Sequence, residues 1–514
     1  MRVGRRGFLH AALAAATGTL SAARPLWAYA ARNGGVPSEL AACSGSGQRV
    51  DLAAADVKDL RASLRGPLLL AQDPGYDDAR LLWLRGYDRH PALIVRAIDA
   101  ADVGRAIDFA RTHGLLTAVR GGGHSLAGQS VCEGGLTIDL SLMSAVEVDA
   151  QRRLASVQGG VLLGEVDRKT QAVGLATTMG TATDTGIAGL TLGGGMGRLM
   201  RSIGLACDNL ASVDIVTADG KLTRASEVEN RDLFWGVRGG GGNFGVVTTF
   251  EYRLHRLAHP VLSGARIYPY SEAHRVLAAA TEVAERAPDA LTLGVDLVNN
   301  APPSTERPGR YAVLTVFHCG DPRDGERLLE PLKRLGAPLH DSVAAVSYLD
   351  AQGAVGTAPV AVPRTVSEYT RTGFLPGMSA VLLDELVRRF AATPPSLDCG
   401  LELAQMGGAV ARVAPSATAY WNRHAAYDLM LFGDWTDGQS AQANTQALDT
   451  LWSAVEPFTR GYYVNTAPAE DGARVRATYG ENYQRLVRLK KTYDPGNLFS
   501  LNANIPPSPP STTR

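Results

Sequence analysis

Hydrophobic and polar positions follow two different periods between residues 91 and 173. Apolar and alternating segments predict short strands at Leu93–Arg96, Leu116–Val119, Leu136–Leu140 and Ala145–Val148. Helical spacing at Val103, Ile107 and Ala110 predicts a helix that ends at Gly114, and a second helix is predicted at Leu163–Val173. The first two strands and the helix between them form a β-α-β unit that leads directly into a run of glycines.

The pattern changes farther along the chain. Asp219-Gly220 predicts a hairpin turn and Val246–Arg253 a strand. Beyond about Leu262, helices are predicted at Glu272–Ala287, Met378–Ala392 and Asn444–Val455, with strands at Tyr311–His318, Gly400–Met406 and Ala425–Leu431. Single cores stop growing near ~250–300 residues, so a chain of 514 residues predicts two lobes, the second of mixed α and β structure. Residues 31–57 show little periodicity and are interpreted as a leader into the first lobe.

The first thirty residues have the pattern of an export signal. A basic start, an apolar stretch from Phe8 to about Ala23 and a small-residue site at Ala28-Tyr29-Ala30 predict a signal peptide over residues 1–30, too short for a membrane span. Arg5-Arg6 gives it the twin-arginine (Tat) form, with an ordinary secretory signal as the alternative. We therefore expect an exported protein, periplasmic or extracellular, that meets the Tat machinery in transit. The Pro-, Ser- and Thr-rich end, residues 508–514, predicts a disordered tail.

Composition narrows the class of partner. The 51 basic and 51 acidic residues cancel and form no long basic run, which argues against a nucleic-acid binder and favours a small-molecule partner. The five cysteines include no CxxC pair. None of the ten histidines lies at ligand spacing from His124, so no metal site is indicated.

Three glycine runs fall within the first lobe, at residues 121–123, 193–197 and 239–242. Gly240-x-Gly242-x-x-Gly245 matches a dinucleotide fingerprint, but a helical turn precedes it and a strand follows it, the reverse of the order in a Rossmann site. Glycine-rich turns at strand edges can still present bare backbone N–H groups to phosphate oxygens. The runs predict a dinucleotide held by loops.

Four motifs in order resemble the berberine-bridge-enzyme-like family of FAD-linked oxidases, within the vanillyl-alcohol-oxidase superfamily. They are RGGGHS at 120–125 with Asp139-Leu140-Ser141, GLTLGGGMGRLMRSIGLACDNL, DLFWGVRGGGGNFGVVTTFEYRLH, and the C-terminal Tyr493-Asp494-Pro495, Asn497-Leu498-Phe499 and Asn502-x-Asn504-Ile505. The resemblance covers about Arg85 to Pro507. It implies an α+β, two-lobed PCMH-type FAD-binding fold. The FAD-binding domain would span residues 60–258, with its core at about 86–258. A substrate domain (259–458), an antiparallel sheet covered by helices, would be inserted before a segment (459–507) that returns to the FAD domain.

The resemblance also implies how FAD is held. The family's matching histidine carries the 8α-methyl carbon of FAD covalently, so His124 is the predicted attachment site. A neutral imidazole is a suitable nucleophile, and the glycines before it let the ring edge approach. Some relatives add a second link through a cysteine whose position is Ala182 here, so a single covalent link is predicted. The other predicted FAD-binding residues are Arg120, Gly121, Gly122, Gly123, Ser125, Gly186, Gly189, Gly193, Gly194, Gly197, Asn209, Gly242, Gly245, Val246, Tyr463, Asn465, Asn502 and Asn504.

Oxidation of an alcohol needs a group that takes the hydroxyl proton. Tyr462-Tyr463-Val464-Asn465 resembles the family's Tyr-x-Asn segment, with Thr466 where a further tyrosine often follows, so the base is Tyr462 or Tyr463. Strand alternation would point the two rings to opposite faces, and Tyr463 is preferred, with core packing of both rings as the alternative. Gln405 and Tyr420 are candidate substrate contacts or packed side chains. After Gly407-Gly408 the chain offers Arg412 and no acid, which argues against a carboxylate base.

The resulting hypothesis is two-electron oxidation of a sugar, hemiacetal or secondary-metabolite alcohol, with O2 reoxidising FAD to give H2O2. Two alternatives remain. One is a dehydrogenase that passes electrons to an acceptor other than oxygen. The other is a secreted flavin-binding protein whose active site has decayed.

Overall fold

The computed structural model of the chain describes residues 35–84, 86–299, 309–353, 367–435, 440–467 and 472–507. The predicted signal peptide and the predicted tail lie outside these ranges. Within them, no helix combines the length and the apolar character that crossing a bilayer requires.

The secondary structure consists of twenty-one strands and fifteen α-helices within the described residues. The strands are β1 (Glu39–Cys43), β2 (Arg49–Ala53), β3 (Leu68–Leu69), β4 (Leu93–Arg96), β5 (Thr117–Arg120), β6 (Leu136–Asp139), β7 (Val146–Asp149), β8 (Leu154–Gln158), β9 (Leu175–Ala176), β10 (Leu210–Thr217), β11 (Leu222–Ser226), β12 (Gly245–Arg253), β13 (His255–Arg256), β14 (Val261–Pro269), β15 (Leu291–Asn299), β16 (Arg310–His318), β17 (His340–Asp341), β18 (Ala344–Val346), β19 (Ser367–Leu375), β20 (Asp398–Gln405) and β21 (Tyr427–Trp435). The helices are α1 (Ala54–Ser63), α2 (Tyr76–Arg80), α3 (Ala100–His113), α4 (Leu163–Gln171), α5 (Ile187–Leu192), α6 (Met200–Ile203), α7 (Arg231–Val237), α8 (Ala273–Arg286), α9 (Pro322–Leu328), α10 (Tyr348–Gly353), α11 (Ala380–Ala391), α12 (Ala409–Arg412), α13 (Ala441–Val455), α14 (Gly472–Tyr479) and α15 (Tyr483–Tyr493).

The first lobe is built on two open sheets. In the four-stranded sheet, β4 and β5 each pair in parallel with β6, and α3 connects β4 to β5. Helix α3 begins where the Asp99 side chain accepts a hydrogen bond from the Asp102 N–H, and it ends at Gly114 in the left-handed conformation (φ 64°). This β-α-β unit delivers the first glycine run to the end of β5, as the sequence predicts. The five-stranded sheet has the order β11-β10-β12-β8-β7.

The second lobe is an eight-stranded antiparallel sheet with one face covered by helices. Its strand order is β17-β14-β16-β15-β20-β21-β19, with β18 paired to β14. Alternate residues of the central strands, such as Leu293, Leu403 and Leu429, pack in one apolar core with residues of α8, α11 and α13. We call the opposite side the inner face; it carries Phe374, which packs with Met200 and Tyr463 of the rest of the molecule. The inner face therefore closes over the second glycine run.

The C-terminal segment returns to the first lobe and is anchored there by a buried lysine. Lys490 Nζ donates to the backbone carbonyls of Asn243 and Phe499 and forms an ion pair of 2.7 Å with Asp494. Asn243 in turn accepts a hydrogen bond from the Ile505 N–H. These contacts fix the last residues against the third glycine run.

The interpretation of residues 31–57 as a leader is wrong for its described part. Strands β1 and β2 form a hairpin, and α1 follows immediately. Ala42, Leu52 and Val57 share an apolar cluster with Leu93 and Val103 of the β-α-β unit. The first lobe therefore includes residues before 60, because even a short, weakly periodic hairpin is stable when a larger core covers one face.

Candidate active site

The first glycine run meets, backbone to backbone, the loop that precedes the second run. A Cβ atom added at Gly122 would lie 2.5 Å from the Gly186 Cα, and one added at Gly186 would lie 2.2 Å from the Gly122 nitrogen. Glycine is needed at both positions because a side chain on either residue would collide with backbone atoms of the other, and backbone atoms cannot move aside as a flexible side chain can. The contact brings the loop that carries His124 next to the loop that leads into the second run.

His124 lies between an indole and a carboxylate. The ring of Trp83 stacks on the imidazole, with centroids 4.4 Å apart and planes 23° apart. Asp184 Oδ1 lies 3.8 Å from His124 Nε2, and Asp184 Oδ2 accepts a hydrogen bond of 3.0 Å from Trp83 Nε1. The backbone N–H of Trp83 also donates to the Gly123 carbonyl. The imidazole is thus held in one orientation at the end of the first run.

Arg120 packs against the first glycine run and is itself held by an ion pair. Its guanidinium pairs with the buried Asp139 at 3.1 Å, and Arg96 pairs with the same carboxylate at 3.0 Å. A Cβ at Gly123, whose φ is 72°, would lie 3.0 Å from the Arg120 guanidinium. Arg120 therefore positions the glycine turn, and Ser125 closes it by accepting a hydrogen bond from the Gln129 N–H.

The second glycine run contacts the segment that contains Tyr463. Tyr463 Oη accepts hydrogen bonds from the backbone N–H groups of Gly195 and Met196, both 3.1 Å long, and from Asn465 Nδ2 at 2.8 Å. Asn465 Nδ2 also donates to the Leu190 carbonyl. Burial raises the pKa of Tyr463 to about 12, although these three hydrogen bonds act in the opposite direction. A tyrosine that acts as a base requires a lowered pKa, whereas the surroundings of Tyr463 raise it.

Three carboxylates lie on the inner face of the second sheet. Asp296 on β15 is directly opposite Glu402 on β20, and Asp428 on β21 lies one diagonal step from Glu402. Burial and the neighbouring Glu402 raise the pKa of Asp428 to about 7, while a 3.3 Å hydrogen bond from Thr372 opposes them. Burial and Glu402 also raise the pKa of Asp296 well above its ordinary value. The inner face is therefore acidic and can hold a proton near neutral pH.

Tyr420 connects the two halves of the site. Its ring meets Phe374 of β19 edge-on, with centroids 6.2 Å apart, and Phe374 is paired with Asp428 in the sheet register. A Cβ at Gly194 would lie 2.7 Å from the Tyr420 ring. The Tyr420 hydroxyl is buried and has no hydrogen-bond partner among the described residues. It therefore lies between the second glycine run and the acidic inner face.

Several side-chain oxygens near the C-terminus are buried without a partner. The Oδ1 atoms of Asn497, Asn502 and Asn504 accept no hydrogen bond from the described residues. Such acceptors require donors, and the hydroxyl groups of an FAD ribityl chain are suitable donors, while the glycine turns supply N–H groups for its phosphates. The residues present therefore fit FAD.

Comparison with known proteins agrees with this geometry. Residues 91–226 match the family model of an FAD-binding domain, and residues 462–506 match the model described as berberine and berberine like. The uncharacterized FAD-linked oxidoreductase YgaK of Bacillus subtilis (strain 168) is 30% identical over 456 residues, which cover 87% of this chain and 98% of YgaK. The chain belongs to the berberine-bridge-enzyme-like FAD-linked oxidoreductases.

Solved structures of this berberine-bridge-enzyme-like fold superimpose over most of the chain. The crystal structure of 6-hydroxy-D-nicotine oxidase from Arthrobacter nicotinovorans gives a TM-score of 0.78 at 28% identity, covering 87% of this chain and 99% of that one. Chitooligosaccharide oxidase gives a TM-score of 0.79 at 23% identity, covering 88% and 100%, and shows the shared fold alone. The two-lobed FAD-binding fold expected from the sequence is confirmed.

Some residues predicted at the site of this berberine-bridge-enzyme-like protein lie elsewhere. Gln405 is not a substrate contact, because its Oε1 accepts from the Leu293 N–H and its Nε2 donates to the Ala284 carbonyl on the helix-covered side of the sheet. Asn209 is not free to bind a cofactor, because it bonds the carbonyls of Ile203 and Leu205 and the ring of His255.

The remaining glycines divide into packed and open positions. Gly197 faces the Met179 carbonyl, and Gly245 faces the Val216 carbonyl inside the five-stranded sheet, where Val246 is buried in the core. Gly121 lies in ordinary contact with Ala188. A Cβ atom added at Gly189 or Gly242 would have no described atom within 4 Å. Gly245 and Val246 therefore belong to the packing of the sheet, and Gly197 is required because a side chain there would collide with the Met179 carbonyl.

Tyr462 and Tyr463 point into different surroundings, although the segment is a turn rather than the strand expected. Tyr462 packs in the apolar cluster of the first lobe, where the Arg474 guanidinium lies 5.6 Å from its ring centre. Only Tyr463 reaches the second glycine run. The absence of an acid directly after Gly407-Gly408 does not leave the inner face without carboxylates, because Asp296, Glu402 and Asp428 lie there on β15, β20 and β21.

Proposed function

We propose that this protein is an oxidase that removes a hydride from a carbon bearing a hydroxyl group, in a sugar, a hemiacetal or a secondary-metabolite alcohol. FAD, held through a single covalent link to His124, would supply the hydride acceptor, and O2 would take up both electrons and become H2O2. The hydroxyl proton goes to a group on the protein, leaving a carbonyl product. The observation that supports this reaction best is the acidic inner face opposite the second glycine run.

Asp428 is the best-suited proton acceptor. A general base works best when its pKa lies near the operating pH, and the pKa of Asp428 is raised to about 7 by burial and Glu402. Tyr463 has a pKa of about 12, again because of burial. Its hydroxyl accepts three hydrogen bonds, so we assign Tyr463 to holding the second glycine run in place. The buried hydroxyl of Tyr420 lies between the second glycine run and the acidic inner face, and it donates a hydrogen bond to the substrate oxygen.

The single covalent link is supported by the loop that precedes the second run. Ala182, at the position of the second attachment site in some relatives, is buried and carries no nucleophile. The five cysteines are free thiols. Burial raises the pKa of Cys132 to about 11, and burial raises the pKa of Cys207 still further, so neither thiol is a reactive nucleophile near neutral pH.

Export through the Tat machinery is part of the proposal and rests on the sequence of residues 1–30. Replacing Arg5 and Arg6 by lysine tests it in a host that carries both export routes. Loss of the protein from the exported fraction supports Tat export. Continued export identifies an ordinary secretory signal.

Oxidation of an amine is a second candidate function, favoured by the three carboxylates of the inner face. A protonated amine would be attracted to Asp296, Glu402 and Asp428, where Arg198 supplies a counter-charge to Glu402. Benzylamine, benzyl alcohol and benzoate share one ring and differ in charge. Titrating the holoenzyme with each and following the FAD spectrum separates the candidates: tighter binding of benzylamine favours amines, and equal binding of the amine and the alcohol favours neutral alcohols.

The reaction itself is tested by anaerobic reduction of the holoenzyme with a panel of monosaccharides, disaccharides and polycyclic alcohols. Bleaching of the FAD absorbance, followed by rapid reoxidation in air with formation of H2O2, supports an oxidase. Bleaching with slow reoxidation identifies a dehydrogenase that uses another acceptor. An FAD absorbance that no alcohol, sugar or amine bleaches identifies a flavin-binding protein without this activity.

A further inference from the structure

The carboxylate beside His124 comes from a loop far away in the sequence. Asp184 lies between Ala182 and Gly186, in a loop fixed on both sides. The Leu163 N–H donates to the Thr185 carbonyl, and the Gly164 N–H donates to the Thr183 carbonyl. With Gly186 packed on Gly122, the loop cannot move away from the first glycine run. The position of Asp184 is therefore built into the fold.

The two oxygens of Asp184 have different surroundings. Oδ2 accepts the hydrogen bond from Trp83 Nε1, which orients the carboxylate. Oδ1 is buried, has no hydrogen-bond partner within the described protein, and lies 3.8 Å from His124 Nε2. Trp83 also stacks on the imidazole. One indole thus orients both members of the Asp184–His124 pair.

We propose that Asp184 is the proton acceptor that prepares His124 for covalent attachment of FAD. The inference rests on the covalent link in the proposed function. A carboxylate facing Nε2 favours the tautomer that carries its proton there, which leaves the lone pair of Nδ1 available for bonding. The same arrangement of a carboxylate behind an imidazole orients the histidine of catalytic triads.

Attachment exchanges one C–H bond of FAD for a C–N bond to His124. Nδ1 donates its lone pair to the 8α-methyl carbon, and one C–H bond of that carbon is replaced by the C–N bond. The methyl proton leaves to solvent, and the Nε2 proton passes to Asp184, which returns it to solvent. The two electrons of the broken C–H bond pass through FAD to O2, which takes up two protons and becomes H2O2. Asp184 acts where positive charge develops on the imidazole.

Reconstitution of apoprotein with FAD tests this role without measuring turnover. The readout is the fraction of flavin that remains on the protein after acid precipitation, followed over time. Asp184→Asn keeps the size of the side chain and removes its charge, so attachment should slow by about 100-fold, the lower end of what a positioned proton acceptor contributes. FAD should still bind, and acid should release it. Trp83→Phe keeps a stacking ring and loses the indole donor, so it should slow attachment by a smaller factor.

The chain supplies a matched control. Asp56 lies 3.8 Å from His113 Nε2 at the surface, the same separation as in the Asp184–His124 pair. Asp56→Asn should leave the rate of attachment unchanged. Asp184→Ala is the second variant, and added formate should accelerate its attachment by replacing the missing carboxylate.

The outcomes separate this inference from the proposed function. Attachment in Asp184→Asn at the rate of the wild type, with no effect of formate on Asp184→Ala, would overturn the role of Asp184 and leave the covalent oxidase intact. Release of all flavin from the wild type would overturn the covalent link and the inference together.

Discussion

Asn465 packs directly on Gly193. A Cβ atom at Gly193 would lie 2.2 Å from Asn465 Oδ1, and Asn465 Nδ2 donates to both the Leu190 carbonyl and Tyr463 Oη. The C-terminal segment and the second glycine run therefore form one unit. The placement of Tyr463 therefore depends on Gly193, which leaves room for the Asn465 side chain.

Gly193→Ala should disturb this unit specifically. The backbone φ at Gly193 is −87°, so alanine brings no backbone strain and acts only through its methyl group. Asn465 must rotate and lose its two hydrogen bonds, and we expect a loss of about 1–3 kcal/mol of stability and a lower kcat with FAD still attached. Gly45→Ala, at an exposed position with no atom within 4 Å, is the control and should change neither. Unchanged kcat in Gly193→Ala would contradict the account.

Asp428→Asn should abolish the rise of kcat/KM with pH. The pKa of Asp428 is raised to about 7 by burial and Glu402, so kcat/KM of the wild type should rise with pH through about 7 as the carboxylate becomes able to accept a proton. The asparagine variant should lose about 100-fold in kcat/KM and show no such rise. Tyr463→Phe should keep the rise. The reverse result, with the step lost in Tyr463→Phe and kept in Asp428→Asn, would assign the base to Tyr463.

Arg423→Met should destabilise the protein strongly. The Arg423 guanidinium is fully buried and forms two hydrogen bonds, 2.7 and 2.8 Å long, with Asp208. Removing Arg423 leaves the largely buried Asp208 carboxylate without its charged partner, which costs about 3–5 kcal/mol. Lys333→Met breaks the exposed pair with Glu330 and should cost less than about 1 kcal/mol. Denaturant titration of both variants measures the difference, and equal losses would contradict the prediction.

Asp167 should make stability depend on pH. Burial raises the pKa of this carboxyl group from 3.8 to about 7, opposed by a hydrogen bond from Gln352. Because the folded pKa is the higher one, the protonated group favours the folded state, and this contribution is present below about pH 4 and lost as the pH rises through about 7. Relative to Asp167→Asn, the wild type should therefore be less stable at pH 8 than at pH 5. A difference in the free energy of unfolding that is the same at both pH values would contradict this.

The sequence predicts most regular elements to within a few residues. Helix α11 occupies Ala380–Ala391 where Met378–Ala392 is predicted, and β16 occupies Arg310–His318 where Tyr311–His318 is predicted. Both elements have a long, regular pattern of hydrophobic residues, and their tertiary contacts favour the same structure. The N-terminal hairpin escapes prediction because its short strands carry little pattern of their own.

Side-chain direction explains the errors at the site. Gln405 shares the parity of Leu401 and Leu403 on β20, so the alternation that buries those leucines also turns Gln405 toward the helices. Glu402 has the opposite parity and faces inward. The partnership of His124 with Asp184 and Trp83 joins residues far apart in the chain, and no local pattern signals such a contact.

The central claim is that FAD is bonded to His124, and acid precipitation of purified wild type and His124→Ala tests it most directly. We expect a yellow pellet and a colourless supernatant for the wild type. For His124→Ala, we expect all of the flavin in the supernatant. Flavin released from the wild type, or retained by His124→Ala through denaturation, would contradict the claim.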